Sequence, residues 1–408
     1  MAVFSLAAPD APGLRRNLSF DLTAAMGVGM TTALVATLLP TAARREGLSP
    51  LGLAVLAAAP FVGNLLGVMA GRFGPRSPRQ LAATRALGAG SLVLLVVFPS
   101  PVVMALVAVA FWLTLSFSVP FQMRLWGVMY PQHLWGRLVG TIGAGRAAAA
   151  GIAALSGGLI ADRPGGVEVV ALGGLVGAIC ALGAGDLRAP VLGKSPSYSI
   201  RGSLRTLLDR PALAHLTLAQ AFAGGGLIAA MPLFVLVQVD RLSLSLAEVG
   251  LIGILSSAAT TASYVAWGAI IDRRGGHIPL QLGSALGVVS QLAYAVAPAA
   301  PVLWIAAVCV GLANAAIDIG IQRSISDHTT LDERAPAMAG WNALTGARGV
   351  AAPFLVTGLV SGGVLSVTSG LLLCAAASAV GAVLYVRAGA SEGRVRATRL
   401  DAAEPSTA

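Results

Sequence analysis

Apolar residues in this chain form long blocks and do not alternate with polar ones. Runs free of Asp, Glu, Lys and Arg cover 22–43, 47–71, 86–123, 275–317 and 349–386. One crossing of a bilayer takes about 20 helical residues at about 1.5 Å of rise each. The first two runs therefore each supply one helix. The 38 residues of 86–123 would reach about 57 Å as one helix, far beyond a hydrocarbon core of about 30 Å. That run must fold back, and Phe98-Pro99-Ser100-Pro101 is the turn. The same reasoning breaks 275–317 at Pro298-Ala299-Ala300-Pro301 and 349–386 near Ser361-Gly362-Gly363. Twelve spans result: 18–41, 50–70, 81–98, 101–122, 138–160, 168–185, 211–237, 246–271, 278–297, 302–323, 337–359 and 364–387. The expected fold class is an all-α polytopic membrane protein. The absence of period-two alternation excludes a barrel, the other structure able to satisfy its backbone in lipid.

Composition agrees. Charged residues are 11% and hydrophobic residues 56% of 408, with a mean hydropathy of +0.81. Soluble domains carry roughly 25% charged residues. The net charge of +10 raises the question of a nucleic-acid partner, and its distribution answers it. With the N-terminus in the cytosol, 20 Lys and Arg fall in cytosolic segments and 4 in outer loops, with Arg85, Arg146 and Arg348 inside helices. That bias is the positive-inside rule, so the basic charge reports topology and no nucleic-acid partner is expected. Both termini are placed in the cytosol. Arg15-Arg16 ahead of the first apolar run imitates a signal peptide, but the run is too long and is read as an uncleaved helix. Cys180, Cys309 and Cys374 stand singly in apolar helices, a packing pattern without metal or redox spacing. A single lysine, Lys194, together with the Ala and Gly richness, points to a GC-rich bacterial source and a cytoplasmic membrane.

The chain also repeats itself. Residues 67–81 lie over 268–282 with six of fifteen positions identical, at an offset of 201. Pro101-Val102 falls on Pro301-Val302 at 200, and Arg146 near Arg348 at 202. The expected organisation is two parallel six-helix bundles, 1–186 and 211–388, joined by a basic, proline-containing cytosolic linker, 187–210. A polar tail, 389–408, is expected to be disordered.

These residues resemble the major facilitator superfamily from about Leu14 to Arg387. Its signature between the second and third helices of each half is Gly-x-x-x-Asp-Arg-x-Gly. The second copy here is Gly268, Asp272, Arg273, Gly275; the first keeps Gly67, Arg72 and Gly74, with Gly71 in place of the acid. The stretch from Tyr130-Pro131 to Gly136-Arg137 is similar to the family's loop between helices 4 and 5. The resemblance implies a two-bundle transporter with a cytosolic gate at these loops. Glycines there permit tight turns and close approach, and Asp272 would meet the positive end of a neighbouring helix. The plainer reading is that Asp272-Arg273-Arg274 only enforces topology. The antiporter subclass pattern is not met: helix 4 has no arginine before Arg124, and Gly157-Gly158 in helix 5 lack a following proline.

Polar residues deep in apolar helices are costly and mark function by default. Asn314, Asp318 and Gln322 recur every four residues on helix 10; Trp341, Thr345 and Arg348 share a face of helix 11; Trp112 and Ser116, with Pro120, lie on helix 4. The family resemblance implies that these helices line a central cavity. Asp318 has three readings: a fixed ion pair with Arg348, a proton or substrate site, or a polar residue decorating the cavity. Arg146 would bind an anionic group of a solute or pair with a helix carbonyl. Asp21 is read as interfacial, and Arg85 as reaching back to the cytosol.

Three classes of function compete. A secondary transporter working by alternating access, with a small solute and protons as its partners, fits best; proton-coupled efflux of an amphiphilic compound is the specific form considered. A transporter-like receptor or lipid-handling protein is the alternative. A membrane enzyme would need His-Glu-x-x-His, Gly-x-Ser-x-Gly, a phosphate loop or an acidic metal cluster, and the sequence has none. No cofactor or metal is expected, and the working unit is read as a monomer.

Overall fold

Residues 12–67, 74–162, 166–189, 192 and 199–401 are described by a computed structural model. Twelve long helices run back and forth among these residues. α1 covers 12–45, with a π-helical turn at Leu34–Leu38. Then come α2 (Pro50–Leu66), α3 (Pro78–Val97), α4 (Pro101–Met129), α5 (Gln132–Ala161) and α6 (166–186). The second half holds α7 (Pro211–Arg241, ending in a π turn at Val237–Arg241), α8 (Leu246–Arg274), α9 (His277–Val296), α10 (Ala300–His328), α11 (Leu331–Ser361) and α12 (Val367–Asp401). Ten of the helices are long and apolar enough to cross a membrane; α2 is shorter within its described length. α9 carries the polar Gln281, Ser284, Ser290 and Gln291. Exposed side chains such as Leu87 (71%), Val296 (70%) and Leu355 (68%) cannot face water in such number, so the chain is a multi-pass membrane protein.

Local chemistry sets the turns. Three helices open on Ser-Pro: Ser49, Ser77 and Ser100 each accept a bond from the backbone N–H three residues on, at 3.1, 3.2 and 3.3 Å. Proline then occupies the first helical position, where no donor is lost. α8 and α11 open on capping boxes, Ser245 with Glu248 and Thr330 with Glu333.

The helices overrun the spans read from the sequence. α4 continues past Met123 to Met129, and α10 past Arg323 to His328, because charge ends the lipid-compatible stretch without ending the helix. α12 likewise continues past Arg387 to Asp401, into the stretch expected to be a polar tail. The linker contains one short amphipathic helix, Ile200–Leu208, which buries Ser203 and Leu207. Gly340 of α11 lies directly against the backbone of Ser203.

The start of α1, the linker and the end of α12 share one side of the bundle, the linker side; the α1–α2 and α7–α8 turns lie on the far side. The apolar core differs between the two. On the far side one cluster runs through both halves, joining Leu38, Leu53, Met104 and Ala153 to Leu233, Val249, Tyr294 and Leu371. On the linker side the core is divided. Phe121, Leu125, Leu138 and Tyr130 belong to clusters of the first half, and Leu213, Leu280, Ile325 and Trp341 to a cluster of the second.

Candidate functional site

Far-side contacts hold the two halves together. α5 and α8 approach through small residues: a Cβ on Gly158 would lie 2.3 Å from the Leu246 carbonyl oxygen, and one on Gly250 would lie 2.4 Å from that of Ala154. Only glycine permits this distance. Polar bonds reinforce it. Arg44 of α1 pairs with Asp240 of α7 at 2.7 Å, and Arg45 donates to the Leu244 carbonyl. Asp162, at the end of α5, accepts from the Leu246 and Ala247 backbone N–H groups, the latter at 2.9 Å. The first half thus caps the N-terminus of α8, where orphan donors and the helix dipole favour a carboxylate. Every polar bond described between residues of the two bundles lies on this side.

A cavity of about 400 Å³ lies between the halves just below that seal. The π-turn residues Val35, Ala36 and Thr37 line it on one side, and Gln238, from the π turn of α7, faces them. Such turns recur at functional sites because they rotate side chains off the regular helical stripe. Trp112 and Asn314, two of the residues singled out by sequence, line it too. Gln238 donates to the Tyr294 hydroxyl at 2.8 Å, and Tyr294 stacks on Phe234.

One turn along α10 from Asn314, towards the linker side, Asp318 is exposed. Its carboxylate accepts from the Tyr264 hydroxyl of α8 at 2.9 Å and from the Gln322 amide at 3.1 Å. Of its three readings, the fixed ion pair with Arg348 does not form. Asp318 turns towards α8, on which α10 packs, whereas α11 packs on α2 and α7. Arg348 therefore donates to the Gln220 carbonyl at 2.9 Å and to Thr345 at 3.2 Å, with its guanidinium 5.8 Å from the Trp341 ring. Trp341 itself is core. The face Trp341, Thr345, Arg348 is real, but it fastens α11 to α7. Ser116 also leaves the cavity: it packs on α2, where a Cβ at Gly63 would collide with its hydroxyl.

Arg146 is exposed, and among the described residues it has neither hydrogen bond nor ion pair, so of its two readings the helix-carbonyl pairing does not form here. Its charge acts on both Tyr264 and Arg85. It stands between the Asp318 cluster and a second polar group that the sequence reading underrated. Asp21 is only 1% exposed and Arg85 6%; neither reaches water. Asp21 accepts from Gln122 at 3.1 Å, from Tyr130 at 2.9 Å and from Trp126, while Arg85 donates to Gln122. The signal available was the spacing of Gln122, Trp126 and Tyr130, four residues apart on one face of α4. Tyr264 had no comparable signal.

In the signature loops, Gly275 adopts φ +82° and ends α8, a conformation that favours glycine. Gly67 follows the last residue of α2, and Gly74 lies in the loop ahead of α3. Arg72 lies outside the described residues. Gly268 makes no close approach, since a Cβ there meets nothing within 4 Å. Asp272 and Arg273 are exposed, and Asp272 meets no neighbouring helix end among the described residues.

Residues 216–405 match the family model of the Major Facilitator Superfamily. No curated protein matches the sequence. Among solved structures, the nucleoside transporter NupG superposes with a TM-score of 0.71 at 13% identity, covering 91% of this chain and 98% of that one. A bacterial homologue of the human lysosomal transporter Spinster, in an inward-facing and occupied conformation, gives 0.62 at 16%, covering 92% and 94%. The human organic anion transporter MFSD10 gives 0.61 at 13%, covering 92% and 100%.

Proposed function

Since the chain belongs to the major facilitator superfamily, we propose that it is a secondary transporter whose two halves rock about a central solute site, held here with the far side shut. The observation that carries this is the division of the core. One apolar cluster spans both halves on the far side, while separate clusters serve each half on the linker side. A bundle built this way opens where its core is divided, and reopening the far side requires that the shared apolar cluster, the α5–α8 seam and the Arg44–Asp240 and Asp162 contacts part. The distribution of Lys and Arg assigns the linker side to the cytosol, so this state faces inward. Asp272, without a partner among the described residues, is then free to engage a neighbouring helix when the cytosolic side closes.

Asp318 is the proposed proton site. It is an exposed carboxylate in apolar helices, one turn from the cavity, and it carries no fixed counter-ion. Tyr264 and Gln322 hold it in position. Exchange of a proton entering from outside for an amphiphilic solute leaving the cell is the reaction this supports. NupG suggests nucleosides as one solute class to include in a screen.

The test uses the purified protein in liposomes loaded with a pH-sensitive dye. Solutes that raise its thermal stability are added under an imposed gradient. Solute flux accompanied by proton movement is expected, and Asp318→Asn should keep solute counterflow while losing proton movement. A ligand that stabilises the protein yet never crosses would instead establish the receptor reading.

A further inference from the structure

The residues lining the cavity include no Asp, Glu, Lys, Arg or His. The polar atoms there are all uncharged. Thr37, Ser256, Ser257 and Asn314 line it, and among the described residues none of their side-chain oxygens or nitrogens has a hydrogen-bond partner. Opposite them stand the flat and aliphatic faces of Trp112, Phe61 and their neighbours. An ion entering this space would lose its hydration without meeting an opposite charge, whereas a neutral solute would trade water for the free hydroxyls and the Asn314 amide. Asp318, one turn from Asn314, is outside the lining and already accepts two hydrogen bonds.

From this we propose that the solute is uncharged, with one apolar or aromatic face and one hydrogen-bonding edge, and that the cavity excludes ions of either sign. The proposal rests on the transporter reading only in placing the solute in this cavity. It separates two roles that the sequence left merged: Asp318 serves protons, and the cavity serves a neutral solute.

Its test needs no knowledge of the natural solute. In the full chain with Cys180, Cys309 and Cys374 replaced by alanine, single cysteines are placed at Ser257 and, separately, Ser256. A third cysteine, on the exposed Leu208 of the linker helix, is the control. Each protein reacts with methanethiosulfonates of similar size bearing a 3,3-dimethylbutyl, a trimethylammonioethyl or a sulfonatoethyl group. Rates are normalised to those with free 2-mercaptoethanol. At both cavity positions the neutral reagent should react at least tenfold faster than either ion, with less than threefold discrimination at Leu208→Cys. Adding Asn314→Asp to Ser257→Cys should raise the cationic rate at least tenfold. Equal rates for all three reagents at both cavity positions, or no reaction at either, would overturn the proposal. Labelling is measured without any gradient or flux. A protein that labels as expected but moves no solute therefore sinks the transporter reading and leaves the cavity chemistry standing.

Discussion

The Tyr264 hydroxyl donates to the Asp318 carboxylate at 2.9 Å, joining α8 to α10 next to the cavity. Arg348 takes no part in this contact. Asp318→Asn should therefore fold normally, since it strands no buried arginine, and its thermal stability should stay within about 1 kcal/mol of wild type. Arg348→Gln should not restore the coupling that Asp318→Asn loses. Tyr264→Phe should retain transport but loosen its coupling to protons, because one of the two donors that position the carboxylate is removed. A proton-to-solute ratio that stays at the wild-type value would remove Tyr264 from the proton site.

Arg44 and Asp240 close the far side with an ion pair that is itself partly exposed, at 23% and 42%. Such pairs contribute up to about 1 kcal/mol. Asp240→Asn should thus shift the inward–outward equilibrium by at most about fivefold, measured as the rate at which a far-side thiol reagent reaches a cavity cysteine. Asp162→Ala should shift it further, by about 1–2 kcal/mol, because it uncaps α8 from across the interface. A larger effect for Asp240→Asn than for Asp162→Ala would reverse this ranking.

The α5–α8 seam tolerates no side chain at Gly250, where a Cβ would lie 2.4 Å from the Ala154 carbonyl oxygen. Gly250→Val should push the halves apart on the far side. Faster far-side labelling in folded protein, or loss of folded protein on size-exclusion chromatography, is the expected outcome. Wild-type labelling with wild-type yield would show that the seam is looser than described.

Asp21 is a structural centre of the first half. Asp21→Ala would strand the donors of Gln122, Trp126 and Tyr130 and remove the carboxylate to which Gln122 links the buried Arg85. The expected cost is about 3–5 kcal/mol, seen as a fall in melting temperature and in yield. Tyr130→Phe, which removes one donor, should cost about 1 kcal/mol. Comparable losses for the two variants would mean that the charge of Asp21 matters little to folding.

Orientation is tested by labelling from outside intact cells. A cysteine at Gly165 should react and one at Ser197 should not; the reverse pattern would invert the assignment of the linker side to the cytosol.

Several features were settled by local sequence alone. Runs too long for one crossing fixed where the chain turns, Ser-Pro pairs fixed where helices begin, and repeated motifs divided the chain into two halves. Gly275 marked the end of α8. These are decided within a few turns of one helix, by length, capping and the positive-φ preference of glycine. Period also showed which residues share a face: Asn314, Asp318 and Gln322 do, and so do Trp341, Thr345 and Arg348. It could not show what each face meets. In a bundle surrounded by lipid, a polar face satisfies itself equally well against a neighbouring helix, a cavity or a buried network. Only helix packing chooses among these. Packing turned Asp318 to Tyr264 rather than Arg348, drew Arg348 onto Gln220, and sealed Asp21 and Arg85 away from the water that their positions near a helix end had suggested. The uncharged cavity arises in the same way. Its walls come from α1, α2, α4, α7, α8, α9 and α10, and no single helix reveals that its free hydroxyls will line one cavity.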